Sequence, residues 1–201
     1  MIRTFVAALI SAATFAAAAQ APANPPVRIR GTVEKLDGHV LSMKTREGQS
    51  MTVRLAEDYS VMGIGKASVA DIGSGKYIGT TTVGERVGAL IAREVHIFPE
   101  NMRGTGEGHR DSDLRPSSKM TNASVASIVA MNNDRVMTVQ YKGGEKKILV
   151  TDATIVVSYL PVERSELKAG VAAFVTAARQ ADGSLTAARV NVGLHGQVPP
   201  M

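Results

Sequence analysis

The sequence predicts an all-β fold built from two copies of one five-stranded unit. Three observations carry that expectation. First, a ten-residue phrase is written twice, 95 residues apart: Gly88-Ala89-Leu90-Ile91-Ala92-Arg93-Glu94-Val95-His96-Ile97 and Gly183-Ser184-Leu185-Thr186-Ala187-Ala188-Arg189-Val190-Asn191-Val192. Such self-similarity marks an internal repeat. Second, short stretches alternate apolar and polar residues with period two, the signature of a half-buried strand. Third, those stretches are separated by turn pairs such as Asp37-Gly38, Gly143-Gly144 and Asp182-Gly183.

The first 19 residues stand apart from the fold. Arg3 precedes an apolar run over residues 5–18, and Ala17-Ala18-Ala19 puts small side chains before Gln20. This is the pattern of a secretory signal peptide over residues 1–19, with cleavage near Ala19, and it implies a periplasmic or secreted protein. The run is shorter than the about 20 residues a membrane span needs, and Pro22, Pro25 and Pro26 follow it. The chain has no cysteine, so disulfides play no part in its stability and no thiol can carry a lipid. Loss of Arg3 lowers the formal charge from +5 to +4. With both signs interspersed, that balance argues against a nucleic-acid partner.

From residue 27 the strands follow in order. Val27-Arg28-Ile29-Arg30-Gly31-Thr32-Val33 alternates and reads as the first strand; residues 40–45 and 51–55 follow across tight turns as a meander. Residues 57–75 show no sustained alternation. Within them Ser68-Val69-Ala70-Asp71-Ile72 reads as one helical turn capped by Ser68 and stopped by Gly73 or Gly75. Residues 76–83 and 89–98 are the fourth and fifth strands. In the fifth, the apolar phase slips between Ala92 and Val95, which predicts a β-bulge near Arg93 and Glu94, and its copy predicts another near Ala188 and Arg189. The second unit repeats the plan with strands at 123–129, 135–141, 146–151, 171–178 and 184–192, and a helical turn at Ser165-Glu166-Leu167-Lys168-Ala169-Gly170. Five strands with a short helix between the third and fourth is the order of an OB-type barrel. The expected organisation is therefore two tandem OB-like barrels, residues 27–98 and 121–193. A Gly/Pro-rich inter-unit segment at 99–120 joins them, and a tail at 194–201 is expected to fray.

The repeat resembles a bacterial envelope family of unknown function. The resemblance rests on Gly31-Thr32-Val33 at the opening, on Ser165-Glu166-Leu167-Lys168-Ala169-Gly170 before the fourth strand, and on Asp182-Gly183-Ser184-Leu185-Thr186-Ala187-Ala188-Arg189-Val190 at the close. It implies tandem OB-like barrels. Members of that family are often labelled by inheritance as metal transporter permeases, a label at odds with the hydropathy here, since nothing after residue 19 has the length of a spanning helix. In the first unit Glu85-Arg86-Val87-Gly88 replaces the Asp-Gly hairpin.

No catalytic motif is legible. Gly73-Ser74-Gly75-Lys76 lacks the first glycine of a phosphate loop and is followed by Tyr77 rather than Ser or Thr. No Gly-x-Ser-x-Gly elbow exists. His39, His96 and His195 are scattered and read as solvated. Met43, Met51, Met131 and Met137 read as core. The suggestive stretch is the inter-unit segment. Arg103, Glu107, His109, Arg110 and Asp111 are the expected ligand-binding side chains, because a long polar loop on a rigid scaffold is where binding sits. Glu107, His109, Asp111 and Asp113 also alternate, and in an extended chain they offer one imidazole and three carboxylates to a divalent metal. The expected role is a non-catalytic binding or interaction module for an envelope protein, glycan or small ligand. The alternative is a periplasmic metal-handling protein associated with a transporter.

Overall fold

The computed structural model describes residues 25–200, so the signal-peptide expectation lies outside the described residues. The fold is all-β. Its strands are β1 (Val27–Asp37), β2 (Val40–Thr45), β3 (Ser50–Lys66), β4 (Tyr77–Arg86), β5 (Ala89–Ile97), β6 (Gly108–Asp111), β7 (Lys119–Met131), β8 (Asp134–Tyr141), β9 (Gly144–Val150), β10 (Ile155–Pro161), β11 (Ala172–Arg179) and β12 (Leu185–Gly193). Among the described residues the helical elements are three single 3-10 turns, Val69–Asp71, Glu100–Met102 and Arg164–Glu166. The first and third are the helical turns expected before the fourth strand of each unit. At the first, the Asp71 carboxylate reaches back to accept from the Ser68 N–H at 2.7 Å and the Ser68 hydroxyl at 2.8 Å, tying off an otherwise orphan donor.

The strands do not pair as two self-contained units. β1, β2 and β3 form the expected meander, but the ring they belong to is completed by β11 and β12 from the far end of the chain. This five-stranded circuit is a closed barrel. The other members of the first unit, β4 and β5, join a circuit with β7, β8 and β9 of the second, β4 pairing with β7. That circuit also returns to its start, through the parallel contacts Leu90↔Ile148 and Ile91↔Leu149. The expectation that residues 27–98 and 121–193 each close on themselves is therefore corrected: each half lends its last two strands to the other.

The physical reason lies in β3. Its 17 residues run roughly 55 Å if extended, too far to fold back within one small ring, and they carry the chain across to the second set of strands. Residues 61–65 are buried on both faces, which is why no alternation marks them. The second half shows the same path, broken at residues 151–154: β9 stops, and β10 takes the place of the distal part of β3. Distal β3 and β10 lie antiparallel, with Ile64 opposite Tyr159, Met62 opposite Pro161 and Lys66 opposite Val157. Ile64 and Tyr159 are 95 residues apart, so a pseudo-two-fold axis passes through their pair. The same offset relates Val156↔Val95 to Val61↔Val190.

The bulges fall where the phase slip predicts. Thr81 faces Glu94 while Thr82 faces Ala92, leaving Arg93 as the extra residue, and the register against β3 jumps between Ala187 and Arg189. The 99–120 segment is not a bare linker, since it contains a 3-10 turn and β6, which pairs with β7. The tail is packed through residue 200 rather than frayed. Leu194 N–H donates to Ile64 O at 3.0 Å, and Arg46 donates to Pro199 O at 2.7 Å. Gly193 permits the fold-back, since a Cβ there would lie 1.6 Å from Gln197 O.

Three apolar clusters follow from this plan. One fills the first ring with Ile29, Val33, Leu41, Met43, Val53 and Val190 among others. One fills the second around Ile78, Val95, Val125, Met137 and Ile148. The third, Met62, Ile64, Tyr77, Phe98, Met102, Val157, Tyr159 and Phe174, lies between them.

Two outcomes follow. A chain ending at residue 117 leaves both circuits open and shows no cooperative unfolding by circular dichroism; adding residues 118–201 as a second chain restores the transition. A first half that unfolds cooperatively alone would contradict the exchange. Separately, Val87 sits at φ 51° in the two-residue turn between β4 and β5, with 69% of its surface exposed. A β-branched residue is strained there, so Val87→Asn raises stability by about 1 kcal/mol, read as a rise in Tm of about 2–4 °C.

Candidate functional site

Matched rows of side chains from the two halves meet at the junction of the rings. In one, Gly79 of β4 pairs with Asn122 on β7 and with His96 on β5. Gly79 has no side chain, so its neighbours lean over it: a Cβ there would lie 2.0 Å from His96 Nε2 and 2.7 Å from Asn122 Oδ1. In the other, Phe174 of β11 pairs with Arg30 on β1 and Asn191 on β12. Asn191 stands at the repeat position of His96, 95 residues on. Asn122, His96, Arg30, Phe174 and Asn191 all line one cavity of about 460 Å³, within the range of about 300–1,000 Å³ usual for small-molecule sites.

The inter-unit segment forms one wall. Arg110, Asp111, Ser112, Asp113 and Leu114 line it, held in place where β6 pairs with β7. Asp113 accepts two hydrogen bonds from Arg30, each 3.1 Å, and lies 3.6 Å from Arg28. Burial pushes the Asp113 carboxyl up, but the Arg30 hydrogen bonds and the Arg30 and Arg28 charges outweigh it and hold the group below its ordinary value. Four arginines line the cavity: Arg28, Arg30, Arg110 and Arg189. Among the described residues, Arg110 and Arg189 have no carboxylate partner. Arg110 donates to Gly106 O at 2.6 Å and Arg189 to Ser60 Oγ at 3.5 Å.

An aromatic wall stands between. Phe98 stacks on Tyr159 with centroids 5.0 Å apart. His96 meets both rings edge-on, at 5.2 Å and 5.9 Å. Burial, with the nearby Glu94, raises the Tyr159 phenol above its ordinary value. His96 is 3% exposed and Glu94 2%, so the reading of His96 as a solvated strand residue is corrected. Burial, with the Arg110 charge, lowers His96 to about 4, which keeps the ring neutral at physiological pH. Glu94 is raised by burial against the Thr81 hydroxyl, which donates to it at 2.9 Å. Among the described residues, four buried side-chain polar atoms have no hydrogen-bond partner: Arg30 Nε, His96 Nδ1, which lies 3.9 Å from Glu94 Oε1, Asn122 Oδ1 and Asn191 Oδ1. Each such atom costs about 1–3 kcal/mol, and all four belong to cavity residues. A second hollow lies beyond Leu114, lined by Arg46, Arg93, Glu94 and Arg115; it lacks the aromatic wall.

Of the residues expected to bind ligand, Arg110 and Asp111 line the cavity. Arg103 does not; it pairs with Glu100, donates to Gly75 O at 2.8 Å and covers the Tyr77 ring. Glu107 accepts from the Lys142 N–H at 2.8 Å. His109 bonds Thr121 Oγ1 at 2.8 Å and stacks on Tyr141. The expected metal quartet is dispersed, since Asp111 pairs with Lys119 and Asp113 with Arg30. Among the described residues no three His, Asp or Glu side chains converge as a metal site. Arg30, His96, Asn122, Arg189 and Asn191 are absent from the binding and metal residues expected from the sequence. A signal existed for three of them: the repeat sets His96 against Asn191 and Glu94 against Arg189 inside otherwise matching apolar phrases.

No protein family, curated protein or solved structure matches this chain.

The pH dependence follows from burial. Between pH 6.5 and about 4 the unfolded chain takes up a proton that folded His96 refuses, so stability is lost as pH falls through that window, by on the order of 3 kcal/mol. Glu94 acts oppositely. Its folded carboxyl keeps a proton that the unfolded one gives up above 4.5, so its contribution is lost as pH rises from there. Urea midpoints measured from pH 4 to 8 test this: His96→Gln flattens the acid limb, and Glu94→Gln lessens the loss above pH 4.5. An acid limb unchanged in His96→Gln would refute the assignment.

Proposed function

We propose that this chain is an exported, non-catalytic binding module of the cell envelope, and that it takes a small anionic ligand in the cavity between two OB-like barrels. The observation that carries this reading is the arginine rim: four guanidinium groups line the cavity against two aspartates, and Asp111 is engaged by Lys119. Guanidinium groups bind carboxylate and phosphate oxygens in a planar fork. Asp113 already occupies Arg30 in that fashion and marks where a ligand anion would compete. Export rests on the pattern of residues 1–19, and the envelope setting agrees with the resemblance drawn from the repeat. The metal-handling alternative draws no support from the dispersed Glu107, His109, Asp111 and Asp113.

Thermal unfolding of the mature protein with anionic, neutral and cationic small molecules tests the reading. At about a hundredfold excess over Kd a bound ligand adds about 2.7 kcal/mol, which raises Tm by roughly 5–10 °C. Anions alone give this shift, and a double Arg110→Gln, Arg189→Gln variant loses it. If no anion shifts Tm, or if neutral compounds shift it equally, the reading fails.

A further inference from the structure

We propose that the ligand is a short linear oligoanion, bearing an oxyanion on each successive unit, that spans the cavity and the second hollow beyond Leu114. This rests on the anion reading above and goes further, because it sets how the ligand's charges are arranged and gives the second hollow a task.

The argument begins at the two bulges. A bulge adds a residue to one strand and re-aims the side chains around it. The bulge of β5 brings Arg93 and Glu94 to the second hollow, and its repeat in β12 brings Ala188 and Arg189 to the cavity. These pairs stand 95 residues apart, so the pseudo-two-fold axis relates them, and each delivers one arginine.

The two hollows adjoin. Leu114 lines both. Arg46 of the second hollow donates its backbone N–H to the O of Arg30, a cavity residue, at 3.0 Å. Thr81 lines the cavity, and its hydroxyl donates at 2.9 Å to Glu94, which lines the second hollow. Residues 112–118 form the ridge between: Asp113 lines the cavity and Arg115 the second hollow. Buried Ser118 fixes that ridge. Its hydroxyl donates to Arg115 O at 2.6 Å, and its backbone O accepts from the Ser112 N–H at 3.0 Å.

Charge is in surplus on both sides of the ridge. The second hollow has three arginines and one carboxylate, Glu94, whose burial favours its uncharged form. Arg46 donates to Pro199 O at 2.7 Å. Among the described residues the guanidinium groups of Arg93 and Arg115 have no partner, just as Arg110 and Arg189 have no carboxylate across the ridge. A lone anion occupies one side and leaves the other unfilled. Anions joined along a chain fill both, and joining two weak sites multiplies their affinity through effective concentration.

Isothermal titration of the mature protein at one ionic strength decides the matter. One series is phosphate, pyrophosphate and tripolyphosphate; the other is galacturonate, digalacturonate and trigalacturonate. In one of them affinity steps up at least about a hundredfold at the length that reaches both hollows, and that series identifies the anion as phosphate or carboxylate. A double Arg93→Gln, Arg115→Gln variant abolishes the step and leaves the single-unit anion bound in the cavity as before. Both side chains are exposed, so the variant keeps the wild-type Tm. Single units that bind as tightly as the longest chains overturn this inference and leave the anion reading standing. A step that survives in the variant does the same, because the gain then comes from general charge attraction. No binding by either series overturns both.

Discussion

The structure depends on one strand contact, the antiparallel pairing of distal β3 with β10 about Ile64 and Tyr159. Each of these segments also serves as the parallel partner of a neighbour, distal β3 with β12 and β10 with β5. A parallel pair needs a long crossover, and here the rest of the repeat supplies it. The contact therefore does three things at once. It joins the two strand circuits into one sheet, it commits β4 and β5 to the far circuit, and it brings the matched ends of β5 and β12 to the same place. The cavity exists because those ends meet.

What meets there is unusual for a core. Two circuits filled with valine, isoleucine, leucine and methionine face each other across a layer that holds a glutamate, a histidine and two asparagines, all buried. Unpaired groups of this kind are expensive, and the apolar clusters on either side must offset them. Proteins tolerate such a debt where a binding surface needs it, and unsatisfied polar groups in a well-packed fold are informative for that reason. The Arg30–Asp113 fork has a related role. It ties the inter-unit segment to β1 and neutralises one guanidinium of the rim.

Much of the fold was legible in the sequence because its signals are local. Alternation revealed the strand of Val27 to Val33, and turn pairs revealed the hairpins. The repeated phrase with its phase slip revealed the bulges at Arg93 and near Ala188. The crosswise closure was not legible. A repeat states which strands are equivalent, and both modes of closure use the same equivalent pairs; only the length of β3 decides between them. That length was hidden because residues 61–65 are covered on both faces and show no period. β10 also shows no period, because its run is apolar apart from Ser158 although Ile155 and Leu160 are exposed while Val156, Val157 and Tyr159 are buried. The site was half legible. Arg110 and Asp111 are polar residues in a long segment, and such segments invite attention. His96 and Asn191 sit in strands that would ordinarily turn them to water, and only the exchange covers them.

Position 193 bears on what kind of site this is. By the repeat it corresponds to Phe98, which gives its ring to the stacked pair with Tyr159. The second half has Gly193, and the chain doubles back over it onto Ile64 and Arg46. Two halves that share a backbone plan have thus diverged in task, one supplying a hard planar surface and the other a plug. The pseudo-two-fold is therefore broken at its rim: Phe98 lines the cavity, while Gln197, Val198, Pro199 and Pro200 of the fold-back line the separate hollow.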